Sequence, residues 1–579
     1  MRWLRNHSVL VVAVLGTAAL MTVAVLATTG SLLLHVNEIE GERGGTLTVV
    51  SLEGSPDLDP ARINDVYGTM ISRAVDRTPY TFRPDREGPQ PDLAEGTPEI
   101  SDDSRRVTIT IRSGVHFSPP VNREVTSRDV AYAIARGFLP GVDSPSAKLY
   151  FADVEGVAEV AAGRRTLPSG LRTPDDNTLE IHLSAPTGRL VAQALTLPLA
   201  APVPAEYARR FDRLPRSTYG RHQVFTGPYR IAADRAGLLP PANAPQLTLD
   251  RNPSWDSDED FRPAFVDRIV LEQRSPGALA LARRVLGGRA AVNGSEPARA
   301  ALVAALRARR AQVALPPAGE ITFIALNTRL APFDNPDVRR AVSAAFDQDA
   351  LRAALGGAVV GEVPTHWIPP GIPGFAQAGG HAGPGVDFLA FRHGNRALAR
   401  RYLRRAGYAR GRITGLRPLA LVARRQASGR AFAAQTREAL AALGQRSRVR
   451  FLAFAPFLRA CSRAPRVAAC LGYRWQRDLD DAASVLPPLF GGQGLRAGTN
   501  VSRLFDPALE RLMGKAGTTT GAADRAERWA EVDRRVTDLA PGVPIVWNRE
   551  PNLRSEDVKG VLDLDLAAWA LSFTSLRAP

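Results

Sequence analysis

Strand-like and helical segments alternate along most of this 579-residue chain. Residues 44–50 are typical of a strand, and polar and apolar residues alternate over 106–112 as on a half-buried strand. Apolar periodicity predicts helices over 127–137, with Ser127 as the N-cap, and over 337–355, 395–406 and 430–443. This alternation predicts an α/β protein. The length predicts two or three lobes, each with its own core.

The N-terminus carries the firmest local signal. Arg2 and Arg5 precede an apolar run over 9–36, and about 20 such residues suffice to cross a bilayer. The charges on the short N-terminal side place the rest of the chain outside the membrane. We expect residues 1–43 to form a transmembrane anchor and spacer, or a signal peptide cut after the small residues Val25 and Ala27. The run has no cysteine that could be acylated.

The net charge of +16 raises the possibility of a polyanionic partner. Arginine supplies nearly all of the basic residues, since lysine occurs only at Lys148, Lys515 and Lys559, which is typical of a GC-rich genome. We interpret arginines such as Arg105 and Arg404 as scattered among acids, which argues against nucleic-acid binding. Attraction to anionic lipid or cell-wall polymer stays physically reasonable.

Two cysteines, Cys461 and Cys470, lie nine residues apart in a segment that we expect to be extracellular. An oxidising compartment favours one disulfide, and two buried thiols are the alternative. With no neighbouring histidine, the pair does not make a zinc site. The eight histidines are dispersed and none of them lie at metal-ligand spacing, so we expect no metal and no cofactor.

The strong catalytic motifs are missing from the sequence: GxxxxGK[ST], HExxH, GxSxG and CxxC do not occur. We therefore predict that the protein is not an enzyme. One cluster, residues 473–481, places the aromatic Trp475 three positions before Asp478, among further acids. It fits either a solvated turn or a site in which a carboxylate beside an aromatic wall holds a ligand ammonium.

An ordered series of short motifs resembles the extracellular solute-binding proteins of peptide and nickel ABC importers, which include the dipeptide- and oligopeptide-binding proteins. The most specific stretch is IRSGVHF at 111–117 with VTSRDVAYA at 125–133. The other motifs are GGTL at 44–47, LEGSP at 52–56, LDPA at 58–61, PDLAE at 91–95, TGPY at 226–229, NPSW at 252–255, VDRI at 266–269, VRRAV at 338–342 and FDP at 505–507.

This resemblance implies a two-lobed periplasmic-binding-protein-like fold with a subdomain inserted in the first lobe. By analogy the first lobe takes 44–90, 210–315 and 546–579, the inserted subdomain 91–209, and the second lobe 316–545. The lobes would close around an extracellular peptide and present it to the permease subunits of an ABC importer, with ATP hydrolysed by separate subunits. Membrane contact would come through the N-terminal helix.

The resemblance also implies site residues. Trp475, Asp478 and Asp481 occupy the W-x-x-D-x-x-D pattern of the family, so Asp478 is expected to take the peptide's ammonium and Trp475 to form a pocket wall. Glu53 matches a first-lobe segment that faces the cleft in relatives. The chain departs from the pattern at Arg477, Asp480 and Ala482, and Arg477 is positioned in sequence to neutralise Asp478.

Two other classes of function remain open. A protein of this fold can bind a non-peptide ligand such as an oligosaccharide, a metal chelate or an opine, because a fold does not determine its ligand. A sensory or structural derivative of the fold, or an enzyme without a familiar motif, is the other alternative.

Overall fold

The computed structural model describes residues 40–577 apart from residues 85, 87, 214, 564 and 567. The predicted apolar run over 9–36, and with it the choice between anchor and cleaved signal, lies outside the described residues. Among the helices of the described part, none combines the length and apolar character needed to cross a membrane.

A five-stranded mixed sheet begins the described part of the chain. Thr46–Val50 forms within the predicted strand 44–50 and pairs in parallel with Arg268–Glu272 on one side and Ala291–Asn293 on the other. Two antiparallel neighbours complete the sheet at the far side, Gln246–Arg251 and Tyr229–Ile231. Leu47, Val49 and Leu271 are fully buried in its core.

A six-stranded sheet is built from the later part of the chain. Its strands, in spatial order, are Gly361–Glu362, Gly542–Arg549, Pro317–Leu326, Ala469–Gln476, Leu419–Arg424 and Ser447–Leu452. Helices cover both faces, with one core around Ile324 and Val543 and another around Phe323 and Trp367. The strand Gly542–Arg549 lies wholly in this sheet, so the predicted boundary between residues 545 and 546 falls inside a strand.

A four-stranded antiparallel sheet is inserted in sequence after Thr46–Val50 and before Tyr229–Ile231, the next strand of the five-stranded sheet along the chain. Its strands, in spatial order, are Ala94–Ile100, Arg106–Ile111, Thr178–His182 and Leu171–Arg172. The predicted strand over 106–112 is thus confirmed. The two-stranded pairings are Tyr80–Phe82 with Pro89–Pro91, Val313–Ala314 with Asn552–Leu553, Val558–Lys559 with Ser575–Leu576, and Leu562–Asp563 with Ala568–Trp569.

The α-helices among the described residues connect and cover these sheets. They are Val66–Val75, Ser127–Arg136, Pro145–Tyr150, Val157–Ala161, Gly188–Ala194, Ala205–Ala208, Ala278–Leu286, Arg299–Ala308, Pro336–Ala345, Gln348–Leu355, Arg396–Arg405, Ala427–Ala442, Phe454–Arg463, Leu486–Phe490, Gly492–Ala497, Pro507–Thr518 and Ala522–Leu539.

Two helix predictions need correction. The N-cap of the helix Ser127–Arg136 is Thr126, not Ser127, because Thr126 and Asp129 form a reciprocal capping box. The predicted helix over 337–355 is two helices, interrupted at Phe346. Phe346 is extended and fully buried, and Asp347 caps the second helix by accepting from the backbone N–H of Ala350.

A buried ion-pair network ties the helix Ser127–Arg136 to neighbouring segments. The Arg136 guanidinium donates to Asp59 Oδ1 and to Asp212 Oδ1, each at 2.6 Å, and all three side chains are almost completely buried. Arg136 holds the pKa of Asp59 below its usual range against the desolvation that raises it. A buried carboxylate of this kind is tolerated only while its cation is present.

Candidate ligand-binding cleft

A cavity of about 530 Å³ lies where the three sheet regions meet. This volume falls within the range of small-molecule and peptide-residue pockets. Its walls come from segments far apart in sequence, and its apolar lining includes Tyr67, Met70, Leu149, Leu197, Phe454, Phe457, Leu458, Trp475 and Leu566. Charged side chains from all three thirds of the chain complete the lining.

The strand Ala469–Gln476 delivers its end to this cavity through a bulge at Gly472. Tyr473 pairs with Phe323 and Leu471 with Ile324, so Gly472 is an extra residue on this strand. Its φ of +72° is the left-handed conformation that glycine adopts without strain, and a Cβ there would lie 2.9 Å from the Phe432 ring. The bulge redirects the strand, and residues 472–478 then line the cavity.

Trp475 and Asp478 both line the cavity, as the sequence pattern predicts for a shared site. The Trp475 indole donates from Nε1 to the Ser484 carbonyl at 2.8 Å, which fixes the ring. Asp478 accepts a hydrogen bond from the Tyr150 hydroxyl, which comes from the short helix Pro145–Tyr150. Among the described residues no cation pairs with Asp478 within 4 Å.

Asp478 is electrostatically unusual. Desolvation raises its pKa to about 7, the Asp565 carboxylate adds to the increase, and the hydrogen bond from Tyr150 opposes it. Asp565 itself has a raised pKa for the same main reason, although Arg73 donates to it at 3.0 Å. The site therefore holds a carboxylate whose charge is not compensated by an ion pair, and an incoming cation would favour its ionised form.

The expectation that Arg477 neutralises Asp478 is wrong. Arg477 turns away and donates from Nη1 to Asp480 Oδ1 at 2.8 Å, with its Nε 3.8 Å from Asp565. Asp481, the last position of the pattern, is occupied elsewhere: it pairs with Arg525 at 2.6 Å in a buried contact. Of the two pattern aspartates, only Asp478 is thus available to a ligand.

Glu53, from near the start of the described chain, also lines the cavity. It accepts from Arg424 Nη2 at 2.9 Å, a contact that joins the first strand's loop to the six-stranded sheet. The Glu53 side chain is 54% exposed and that of Arg424 is 23% exposed, so the pair is partly solvated. Such a pair is worth little to stability and can exchange partners with a charged ligand.

A second charged cluster surrounds Arg474 on the cavity wall. Arg474 donates to Glu320 at 2.8 Å and to Glu550, and it lies 3.5 Å from Glu296. Burial raises the pKa of Glu550 to about 8, and the nearby Glu320 and Glu296 carboxylates contribute. With more carboxylates than guanidinium groups, this cluster keeps one proton near neutral pH.

The helix Phe454–Arg463 forms a further wall and carries the disulfide. Cys461 on this helix is bonded to Cys470 on the strand Ala469–Gln476, with Cα atoms 5.8 Å apart. Arg459 and Arg463 extend from the same helix, are exposed and line the cavity. The disulfide joins this arginine-bearing wall to the strand that leads into Trp475 and Asp478.

The structure brings all three predicted site residues, Glu53, Trp475 and Asp478, to one cavity. Sequence reasoning missed Tyr150, Asp565, Arg424 and the acids around Arg474. No local signal could have found them, since Tyr150 is 328 positions from its partner Asp478. Within the described residues, no group of His, Cys, Asp or Glu side chains is arranged to hold a metal ion.

Comparison with known structures identifies the class of protein. The chain shares the periplasmic-binding-protein-like α/β fold of the clavulanic acid biosynthesis oligopeptide binding protein 2, with a TM-score of 0.75 and 28% sequence identity over 93% of this chain and 96% of that one. The chain belongs to the bacterial extracellular solute-binding proteins, family 5, whose model matches residues 88–496. Members of this family are extracellular or periplasmic binding proteins.

Curated relatives agree with this assignment. The dipeptide-binding protein of Pseudomonas aeruginosa is 22% identical over 81% of this chain and 83% of its own length. The probable ABC transporter periplasmic-binding protein SapA of Escherichia coli is 24% identical over 306 residues, 51% of this chain. The chain spans about half the length of SapA, since the match covers 50% of that protein.

Proposed function

We propose that this protein is the solute-binding component of an ABC importer, which captures extracellular peptides between two closing lobes and delivers them to the permease. ATP hydrolysis belongs to separate subunits, and the chain performs no chemistry on its ligand. Family membership supports the role in solute capture. Its similarity to a dipeptide-binding protein and to an oligopeptide binding protein supports the peptide ligand.

The single observation that carries the peptide assignment is Asp478. It lines the cavity beside Trp475, accepts from Tyr150, and has no ion-pair partner among the described residues. A peptide's ammonium would complete this site by a charge-assisted hydrogen bond and would lower the raised pKa of Asp478. The carboxylate thus gains a partner only when the ligand arrives, which makes ligand charge part of the affinity.

Contacts from separate sheet regions suggest how closure is coupled to binding. The hydrogen bond from Tyr150 to Asp478 joins the helix Pro145–Tyr150 to the segment after a strand of the six-stranded sheet. The Glu53–Arg424 pair joins the loop after Thr46–Val50 to another strand of the same sheet. A ligand that contacts both sides of the cavity stabilises the closed form by its differential affinity for that form. The peptide backbone would be held by main-chain hydrogen bonds along residues 472–476, which among the described strands pair with Pro317–Leu326 alone, and this leaves the peptide's side chains free to vary.

Arg459 and Arg463 provide the opposite polarity. Both are exposed, line the cavity and have no ion pair with a described carboxylate, so they suit the carboxyl end or an acidic side chain of the peptide. A zwitterionic ligand would then lie with its amine at Asp478 and its negative charge toward the helix Phe454–Arg463. A neutral oligosaccharide has no charge of its own to pair with either group.

The first experiment is mass spectrometry of the ligands that co-purify with the full chain. Mixed short peptides support the proposal, whereas a single sugar, metal chelate or opine supports the alternative of a same-fold protein for a non-peptide ligand. No ligand at all, together with no binding of supplied peptides, would favour a sensory or structural derivative of the fold.

The second experiment tests the amine directly by calorimetry. A co-purified peptide and its N-acetylated form are titrated into the wild type and into Asp478→Asn. We expect acetylation to weaken binding to the wild type at least tenfold and to change binding to Asp478→Asn much less. Equal losses from acetylation in both proteins would show that the amine binds elsewhere.

A further inference from the structure

The net charge of this protein is concentrated in one segment. Residues 388–477 contain 21 arginines and a single acid, Glu438, whereas the rest of the chain has 53 basic and 57 acidic residues. The interpretation that arginines are scattered among acids is therefore wrong for this segment. A GC-rich genome explains the choice of arginine over lysine, but it does not explain why acids are missing from these 90 residues and not from the rest.

The fold gathers part of this segment into one surface, which we call the arginine patch. Arg400 and Arg404 are four residues apart on the helix Arg396–Arg405, and both point away from its buried face, which includes Leu398 and Leu403. The remaining members follow the helix or precede the edge strand Ser447–Leu452. The patch consists of Arg400, Arg404, Arg410, Arg412, Arg417 and Arg446.

Backbone contacts hold these parts together. Gly411 packs against Arg400, since a Cβ on Gly411 would lie 3.0 Å from the Cβ of Arg400. Arg412 in turn adjoins Gly444, at the end of the next helix. The Gln445 side chain then donates from Nε2 to the carbonyls of both Arg417 and Arg446, each at 2.9 Å. The patch is therefore continuous across three segments.

The arginines of the patch are left uncompensated by the fold. All six are exposed, and none forms an ion pair with a carboxylate of the described residues. Two other exposed arginines of the same helix do pair, Arg401 with Asp387 and Arg405 with Asp337. Six like charges held close together repel one another, so an anionic surface that approaches them relieves this repulsion.

An apolar side chain lies within the patch. Leu416, between Arg412 and Arg417, is one of the few large hydrophobic residues that are exposed in the described part of the chain. Phe391, another of them, precedes Arg392 at the start of the same segment. Arginines surrounding an exposed Leu or Phe are typical of surfaces that bind at the lipid headgroup level, whereas single-stranded nucleic-acid surfaces present aromatic rings along a basic groove.

We propose that the arginine patch docks this protein on anionic phospholipid headgroups, with Leu416 entering the interface. The apolar run over 9–36 independently predicts membrane contact for this chain. A patch that weakly binds lipid would then orient the protein at the surface where its transporter lies.

The test uses the full chain and vesicle co-sedimentation. Vesicles of phosphatidylcholine alone are compared with vesicles in which roughly a third of the lipid is phosphatidylglycerol. Binding through the N-terminal run contributes to both, so the ratio of protein bound to the two kinds of vesicle measures the preference for anionic lipid. We expect the wild type to prefer the anionic vesicles more than tenfold. The preference should fall as ionic strength rises from about 0.1 M to 1 M, where the Debye length shrinks from about 10 Å to 3 Å.

Three variants decide the outcome. Replacing all six patch arginines by glutamine should reduce the preference at least tenfold, since each basic residue near an anionic surface contributes roughly fivefold. Replacing the same six by lysine should retain it, which separates loss of charge from loss of fold. The matched control replaces six exposed arginines elsewhere by glutamine and should stay within about twofold of the wild type; these are Arg165, Arg172, Arg189, Arg235, Arg283 and Arg307.

Equal losses in the patch and control variants would overturn the proposal, because total charge would then explain the binding. So would a wild type with no preference for anionic vesicles. A final arm adds double-stranded DNA at the phosphate concentration of the vesicles. Retention on the vesicles supports lipid as the occupant, and complete displacement assigns the patch to polyanions in general and overturns the lipid assignment.

Discussion

The Tyr150 hydroxyl donates a hydrogen bond to the Asp478 carboxylate, and these residues lie 328 positions apart in the chain. The contact joins the end of the helix Pro145–Tyr150 to the segment that follows the strand Ala469–Gln476. Because no described cation pairs with Asp478, this hydroxyl is the principal stabiliser of its ionised form.

Asp478→Ala should weaken peptide binding at least tenfold. Removing one partner of a desolvated charged hydrogen bond costs on the order of 2 kcal/mol or more. Calorimetry with a co-purified peptide measures the change. Asp480→Asn is the matched control, because Asp480 is an exposed neighbouring carboxylate that pairs with Arg477; its affinity should stay at the wild-type level. An unchanged affinity in Asp478→Ala would refute the assignment.

Peptide affinity should rise with pH between about 5.5 and 7, because Asp478 has a pKa of about 7 and must lose its proton to bind an ammonium. The limiting slope is about tenfold per pH unit. Above about pH 8 the affinity should fall again as the peptide's own α-amine, with a pKa of about 7.7–8.0, loses its charge. Calorimetry across this range should find the rising limb absent in Asp478→Asn.

Tyr150→Phe should move the rising limb to higher pH. The hydrogen bond from Tyr150 favours the ionised form of Asp478, so losing this bond raises the pKa of that carboxyl further. The same pH series of titrations measures the shift. Tyr67→Phe is the control: Tyr67 lines the same cavity, but its buried hydroxyl has no hydrogen-bond partner among the described residues. A Tyr150→Phe profile that overlays the wild type would contradict this role.

Loss of the Cys461–Cys470 disulfide should lower the free energy of unfolding by about 2–3 kcal/mol, given the short loop that it closes. Ligand affinity should fall as well, because the helix Phe454–Arg463 lines the cavity. Urea unfolding and calorimetry of the double variant Cys461→Ser with Cys470→Ser measure both effects. A reductant should lower the free energy of unfolding of the wild type and leave that of the double variant unchanged. If the reductant lowered the stability of the variant but not of the wild type, the disulfide would not be the cause of the stability difference.

Arg136→Ala should destabilise the protein by about 3–5 kcal/mol, since it leaves the buried Asp59 and Asp212 carboxylates without their cation. Urea unfolding gives the difference. Arg128→Ala is the control on the same helix, because Arg128 pairs with Asp176 at the surface, where the two side chains are 63% and 64% exposed, and its loss should cost no more than about 1 kcal/mol. Similar costs for the two variants would contradict the role of burial.

Local patterns predicted some elements well and failed where tertiary contacts intervened. The strand Arg106–Ile111 and the helix Arg396–Arg405 follow their apolar periodicity closely. The break at Phe346 was not predictable from that pattern, because burial of this side chain in the core of the six-stranded sheet favours an extended backbone over a continuous helix. Likewise, Thr126 and Ser127 are both acceptable caps, and only the side-chain geometry with Asp129 distinguishes them.

For the site, the sequence by itself determined the residue types and the family: the ordered motifs, and an aromatic residue three positions before Asp478. Only the tertiary structure decided which charges meet. Arg477 is adjacent to Asp478 in sequence yet pairs with Asp480, whereas Tyr150 and Asp565 act on Asp478 from distant segments. The reason is physical: desolvation and hydrogen bonding depend on which surfaces the fold brings together, and a chain position alone carries neither.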